Sequence, residues 1–134
     1  MVASVATPTR NYNIQADSNG RHQVYWGTLA ITGGAATYTT GGIACSFAGV
    51  VFVPHQSPPV TVYIWSENGG ADGYVFQYIT GTTLANGLVQ ISASQTVVNG
   101  TGPVYVDMTN ATAIPAAISG DTKLRWEARW VHGT

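Results

Sequence analysis

The sequence predicts an all-β fold, an antiparallel β-sandwich or jelly roll of about eight strands. Three observations support this prediction. No long stretch repeats its apolar residues with the period of a helix. Runs rich in Val, Ile, Thr, Tyr and Trp favour a pleated, half-buried surface. The 16 Gly and 6 Pro residues interrupt those runs at short intervals. At 134 residues, the chain has the length of a single domain.

Turn signals divide the chain into the predicted strands. Gly33-Gly34 supplies backbone conformations with positive φ that a side chain disfavours. Pro58-Pro59 has no backbone N–H to donate and is therefore excluded from a central strand. Asn86-Gly87 is typical of a tight hairpin turn. The strands between such signals are predicted at residues 23–32, 35–39, 43–53, 60–66, 73–80, 87–94, 103–108 and 122–132.

The last predicted strand has the clearest pattern. Its apolar residues alternate with charged ones, which predicts one face toward the core and one toward solvent. The apolar set is Leu124, Trp126, Ala128 and Trp130, and the charged set is Lys123, Arg125, Glu127 and Arg129. A solvated face is the simplest interpretation of the charged set. The alternative is that Arg125 and Arg129 contact an acidic partner surface.

The first 21 residues lack such alternation and are predicted as an extended N-terminal arm, with the sandwich domain spanning residues 22–134. A frayed terminus and an arm that becomes ordered on a neighbouring molecule both fit this segment. Arg10 and Tyr12, with Asn11 between them, include residue types that often anchor protein contacts. We therefore take Arg10, Asn11 and Tyr12 as interface candidates.

Charge excludes several functional classes. Only 8% of the residues are charged, and five Lys and Arg oppose six Asp and Glu, for a net charge of −1. Nucleic-acid binding and polybasic membrane attachment both require an excess of basic residues. The surface must instead be neutral and hydrogen-bonding, which suits a protein covered by an oligomer or a larger assembly. The sequence begins without a secretory signal and has no run long enough to span a bilayer, so we expect assembly in a cytoplasm.

No pattern of catalytic or metal-binding residues stands out. His22, His55 and His132 lie on separate segments, without the close spacing of a local metal site. Cys45 is the single cysteine, which excludes an intramolecular disulfide, and we predict that it is buried as a small apolar residue. Serine-hydrolase and nucleotide-binding motifs are absent from the sequence. We therefore expect no enzymatic activity, no metal and no cofactor.

One alternative function remains open from the residues themselves. Trp65 lies at a predicted strand end, beside a polar loop that carries Glu67 and Asp72. An exposed tryptophan next to polar groups is typical of a carbohydrate-binding module, whereas the other three tryptophans, including Trp26, are predicted to fill the core. The two carboxylates also suit a calcium site or a small hydrolase, although the solubility of the loop explains them equally well.

Several segments taken together resemble a known family. The segments are residues 27–31, 37–42, 49–52, 73–78, 87–91 and 124–128. Their order is similar to that in small β-sandwich structural proteins of tailed bacteriophages, the capsid decoration or cement proteins. The resemblance covers roughly residues 23–132 and consists of strand and turn patterns, none of them catalytic.

This resemblance implies a virion protein clamped to the outside of an icosahedral capsid. It implies a homotrimer at three-fold or quasi-three-fold positions that bridges neighbouring subunits of the major capsid protein against the pressure of internal DNA. We then expect the contact residues to come from the arm and the last strand: Arg10, Asn11, Tyr12, Arg125 and Arg129.

Overall fold

The computed structural model describes residues 2–11, 15–16, 22–53, 55–67, 73–96 and 103–131. Almost every regular element in these ranges is a strand, and each of the eight predicted strands overlaps an observed one. The elements are β1 (Val2–Ala3), β2 (Val5–Arg10), β3 (Gln15–Ala16), β4 (His22–Ile31), β5 (Ala36–Thr37), β6 (Ile43–Cys45), β7 (Thr61–Ser66), β8 (Tyr74–Ile79), β9 (Gly87–Thr96), β10 (Pro103–Asp107), α1 (Ala116–Ser119) and β11 (Leu124–Val131).

The strands form one large, mostly antiparallel sheet. Its order is β10-β9-β6-β2-β4-β11-β7, with β8 also paired to β9 and β3 to β4, while β1 and β5 form a separate parallel pair. β7 and β8 contact each other, so the sheet curls around the core. The predicted all-β class is confirmed. The pairing runs through one curled sheet, and the predicted sandwich or jelly-roll arrangement is not confirmed.

The N-terminal residues differ from the predicted arm. Val5–Arg10 forms β2, which pairs antiparallel with β4 along one edge and parallel with β6 along the other. Ala6 and Pro8 are buried, and their neighbours in the strand are exposed. The alternation therefore exists, but its inward residues are too small to be recognised as an apolar face. Tyr12 lies outside the described residues.

An aromatic cluster fills the inside of the curled sheet. The ring centroid of Phe47 lies 4.9 Å from that of Trp126 and 5.4 Å from that of Trp130. Trp130 also meets Tyr25 edge-on at 5.6 Å. Trp126 and Trp130 are fully buried, as predicted. Each indole N–H finds a backbone carbonyl, with Trp126 donating to Thr28 at 3.0 Å and Trp130 donating to Ser57 at 2.8 Å. The cluster therefore buries large apolar areas with both indole donors satisfied.

The strand predicted at residues 43–53 is shorter than expected. It ends at Cys45, and the chain then turns at Gly49, whose φ is +76°. Phe47, Val51 and Val53 are nevertheless buried, because the turns direct these side chains into the core. An apolar run thus predicted burial correctly but did not distinguish a strand from a series of turns.

A polar contact fixes the end of β10. The Tyr38 hydroxyl donates to Oδ1 of Asp107 and accepts from the backbone N–H of Ile91 at 3.0 Å. The backbone N–H of Gly41 donates to Oδ2 of Asp107 at 2.8 Å. Burial alone would raise the pKa of Asp107, but these hydrogen bonds to its charged form hold that pKa below the ordinary value. Asp107 thereby anchors β10 to the body of the protein.

We expect the folded state to lose stability in alkali. Burial raises the pKa of the Cys45 thiol from 9.0 to about 12, and those of Tyr38 and Tyr78 from 10.0 to about 12. These groups keep their protons in the folded state at pH values where the unfolded chain loses them. Their contribution is therefore complete below the unfolded pKa values and is lost as the pH rises toward 12.

Urea denaturation between pH 8 and 10, on either side of the ordinary thiol pKa of 9.0, checks this expectation. The free energy of unfolding should fall with pH, and Cys45→Ala should show a smaller fall because it has no thiol to ionise. Ser46→Ala, at the exposed neighbouring position, is the matched control and should keep the full fall. If the free energy of unfolding of Cys45→Ala fell with pH as much as that of the wild type, the raised pKa of the buried thiol would be contradicted.

Candidate functional site

Three neighbouring strands present a continuous outer face. β4 and β7 pair with the two edges of β11, so residues that point outward from all three strands lie side by side. The outward rows are Thr28, Arg125 and Trp65, then Trp26, Glu127 and Tyr63, then Val24, Arg129 and Thr61. The face therefore carries a central line of charged side chains on β11, with three aromatic residues, Trp26, Tyr63 and Trp65, on the strands beside it.

A cleft of about 230 Å³ opens on this face and is called the tryptophan cleft below. Trp26 and Trp65 contribute its two tryptophans from the outer face, and Trp65 is 41% exposed. Among the described residues, those that line it are Asn11, Trp26, Gly27, Trp65, Glu67, Arg125 and Trp126. Two residues of the sugar-contact prediction, Trp65 and Glu67, and two of the interface prediction, Asn11 and Arg125, thus meet in one place.

An ion pair lies in the tryptophan cleft. Nε of Arg125 is 3.1 Å from Oε2 of Glu67, and the two side chains are 22% and 48% exposed. The backbone N–H of Glu67 donates to the carbonyl of Lys123 at 3.0 Å, which holds the residue after β7 beside β11. Each charge therefore has its counter-charge nearby, and the pair is electrically neutral while keeping its hydrogen-bonding capacity.

The remaining predicted contact residues have different surroundings. The Arg10 guanidinium lies over the ring of Phe52, 5.0 Å from its centroid, and is partly buried. Arg129 lies 3.6 Å from a carboxylate oxygen of Glu127 on the same strand. The outward arginines of β11 are thus both paired with acidic groups, so this face is less basic than its sequence suggests. Asp72 and Tyr12 lie outside the described residues, and so does His132.

The prediction that Trp26 fills the core is wrong. Trp26 lies between Tyr25 and Gly27, both buried, and its own side chain is only partly buried on the outer face. The signal that could have placed it outside is the period of two in β4. Tyr25, Leu29 and Ile31 share the inward phase, and Trp26 has the opposite phase.

A second surface feature lies on β10. Val104, Tyr105 and Val106 are 42%, 58% and 40% exposed, and these three residues are called the apolar ribbon below. Successive residues of a strand point to opposite faces, so exposure of all three means that both faces of this strand are open to solvent. Within the described ranges, β10 pairs with β9 alone. The sequence predicted the strand but did not indicate that its apolar residues are exposed.

The described residues lack the features of a metal site and of a helical membrane span. No group of three or more His, Cys, Asp or Glu side chains that could hold a metal ion occurs among the residues the structure describes. In the same part of the chain, no helix is long and apolar enough to cross a membrane.

Comparisons of the chain with family models, with curated proteins and with solved structures found no match.

Proposed function

We propose that the protein is a structural component of a tailed-phage virion that binds the outside of the icosahedral capsid and stabilises it by bridging subunits of the major capsid protein. It acts by adhesion, without catalysis. The observation that carries this proposal is the apolar ribbon, three consecutive exposed apolar side chains on an anchored strand. The family resemblance of the sequence supplies the identity of the partner.

The apolar ribbon suits a contact that surrounds β10 and excludes water from both of its faces, because Val104 and Val106 point to the face opposite Tyr105. Full burial of an apolar side chain contributes about 1.5–3 kcal/mol, and these three side chains are 40–58% exposed, so covering the remainder offers about half of that gain for each. The contact also needs little ordering of the strand, because Asp107 already ties the end of β10 to Tyr38 and Gly41. A pre-ordered surface loses less entropy when it binds.

A ribbon of three side chains is a small contact for a single copy. Association costs several kcal/mol of translational and rotational freedom, and only the surplus appears as affinity. We therefore propose that the protein acts as a homotrimer, in which binding of one copy raises the effective concentration of the other two at their sites. A net charge of −1 leaves little electrostatic repulsion between copies.

Co-sedimentation with undecorated capsids, assembled from the major capsid protein of the same phage, tests the proposal. The wild-type protein should bind saturably, and replacement of Val104, Tyr105 and Val106 together by serine should weaken binding at least about tenfold. These residues are exposed, so the variant is expected to fold, and its thermal unfolding should confirm that.

The matched control replaces Val60 and Tyr63 by serine, since these are apolar residues at least as exposed as those of the apolar ribbon and lie outside it. This control variant should bind like the wild type. If the wild type does not bind capsids, the proposed function is wrong. If the ribbon variant binds as well as the control, the assignment of the ribbon is wrong and the capsid contact lies on another surface.

A further inference from the structure

We propose that the tryptophan cleft binds a neutral hexopyranose unit of a glycan. This inference goes beyond adhesion to a capsid and is carried by other residues, because the cleft shares none with the apolar ribbon. Two outer-face tryptophans and a neutralised Arg–Glu pair line one small opening, and that combination matches the surface of a pyranose ring.

The apolar part of the cleft comes from Trp26 and Trp65. A pyranose carries its C–H groups on the faces of the ring, and the face of an indole offers them a flat apolar surface whose negative quadrupole attracts C–H groups. Trp65 is 41% exposed on β7 and lines the cleft. Trp26 is partly buried in the neighbouring row of β4. Its backbone is held by pairing with Glu127 of β11 and by its carbonyl, which accepts from the backbone N–H of Asn11 at 2.9 Å.

The polar part of the cleft comes from Arg125, Glu67 and Asn11. The ion pair uses Nε of Arg125 and Oε2 of Glu67. A guanidinium has five N–H donors and a carboxylate has two acceptor oxygens, so both groups retain the chemistry to bind hydroxyls. Neighbouring hydroxyls on a pyranose each donate and accept, which matches an adjacent donor and acceptor. The Asn11 amide adds one group of each kind.

The charge balance of the cleft selects among ligand classes. The charge of Arg125 is compensated by Glu67 at 3.1 Å, which disfavours a phosphate or carboxylate ligand. Among the described residues of the lining, Glu67 is the single carboxylate, which supplies too few oxygen ligands for a calcium ion. A purely apolar ligand would displace water from the ion pair without replacing the hydrogen bonds that the water made, which carries a high cost in desolvation. A neutral polyhydroxylated ring satisfies both parts of the cleft.

Resonances of the tryptophan indole N–H groups provide a site-specific test by NMR. The full-length protein is titrated separately with glucose, galactose, mannose and N-acetylglucosamine, each to tens of millimolar. At least one sugar should shift the indole resonances of Trp26 and Trp65 saturably. The indole of Trp130 should not move, because it is fully buried and donates to Ser57.

Variants separate recognition from nonspecific contact. Trp65→Ala should raise the dissociation constant about tenfold, and Trp65→Tyr should restore much of the affinity by returning an aromatic face. Tyr63→Ala, two residues earlier on the same strand and 59% exposed, is the matched control and should bind like the wild type. Absence of a saturable shift with all four sugars would overturn the proposal, as would equal loss of binding in the Trp65→Ala and Tyr63→Ala variants.

Discussion

Replacing Gly27 with alanine is expected to lower the free energy of unfolding by about 3 kcal/mol. A Cβ atom at this position would lie 1.8 Å from the carbonyl oxygen of Thr9 and 3.0 Å from Cα of Arg10. Both contacts are with the backbone of β2, which cannot rotate away as a flexible side chain can. Relief of the clash therefore requires β2 to separate from β4 at this point, with loss of pairing in the middle of the sheet.

Urea denaturation of Gly27→Ala, compared with that of Gly49→Ala, separates the clash with β2 from the general effect of replacing a glycine. Gly49 has a φ of +76°, and a Cβ atom added there would meet no atom within 4 Å. Alanine at Gly49 therefore incurs only the conformational penalty, about 1–2 kcal/mol. We expect Gly27→Ala to be the more destabilised of the two. If it is no less stable than Gly49→Ala, β2 does not approach β4 as closely as the structure shows.

Replacing Trp130 with alanine is expected to lower the free energy of unfolding by about 3–5 kcal/mol. The side chain is fully buried and packs against Phe47 at 5.4 Å and Tyr25 at 5.6 Å between ring centroids. Its removal leaves a cavity beside two aromatic rings. It also removes the indole donor from the carbonyl of Ser57, in the segment that leads into β7.

Trp130→Phe separates these two effects, because it keeps an aromatic ring but has no indole N–H. Its stability should lie between those of the wild type and the alanine variant. Trp65→Ala is the matched control for loss of a tryptophan at an exposed site, and it should change stability by less than about 1 kcal/mol. A Trp130→Ala variant as stable as Trp65→Ala would show that Trp130 is not part of the core.

Large apolar residues made most strands predictable. In β11, Leu124, Trp126 and Trp130 repeat every second residue or a multiple of it, and this period alone indicates a strand with one buried face. β2 has the same geometry, but its buried positions hold Ala6 and Pro8. These small residues do not indicate a buried face, because they occur as readily at exposed positions. The place of β2 in the sheet depends on close backbone pairing with β4, and the amino-acid composition of β2 does not indicate this pairing.

The tryptophan cleft was predictable in its parts but not as a whole. Trp65 and Glu67 were candidates for one function, and Arg125 was a candidate for another. They meet because β7 and β11 pair in a register that places Arg125 opposite Trp65. Register between strands distant in sequence depends on the packing of the entire sheet. The apolar ribbon was not predictable for the same reason. The sequence of Val104–Val106 indicates a strand, but its exposure depends on the packing of the rest of the sheet.

The two proposals can succeed or fail separately. Capsid binding rests on Val104, Tyr105 and Val106, whereas sugar binding rests on Trp65 and the Arg125–Glu67 pair. The serine variant of the ribbon should therefore still bind a sugar, and Trp65→Ala should still sediment with capsids.

Adhesion to a capsid is tested most directly by electron cryo-microscopy of capsids saturated with the protein. We expect density for the protein on the outer surface, at junctions between major capsid protein subunits, with β10 turned toward the shell. Capsids that carry no added density, or density in which β10 faces solvent away from both the shell and neighbouring copies, would contradict this account.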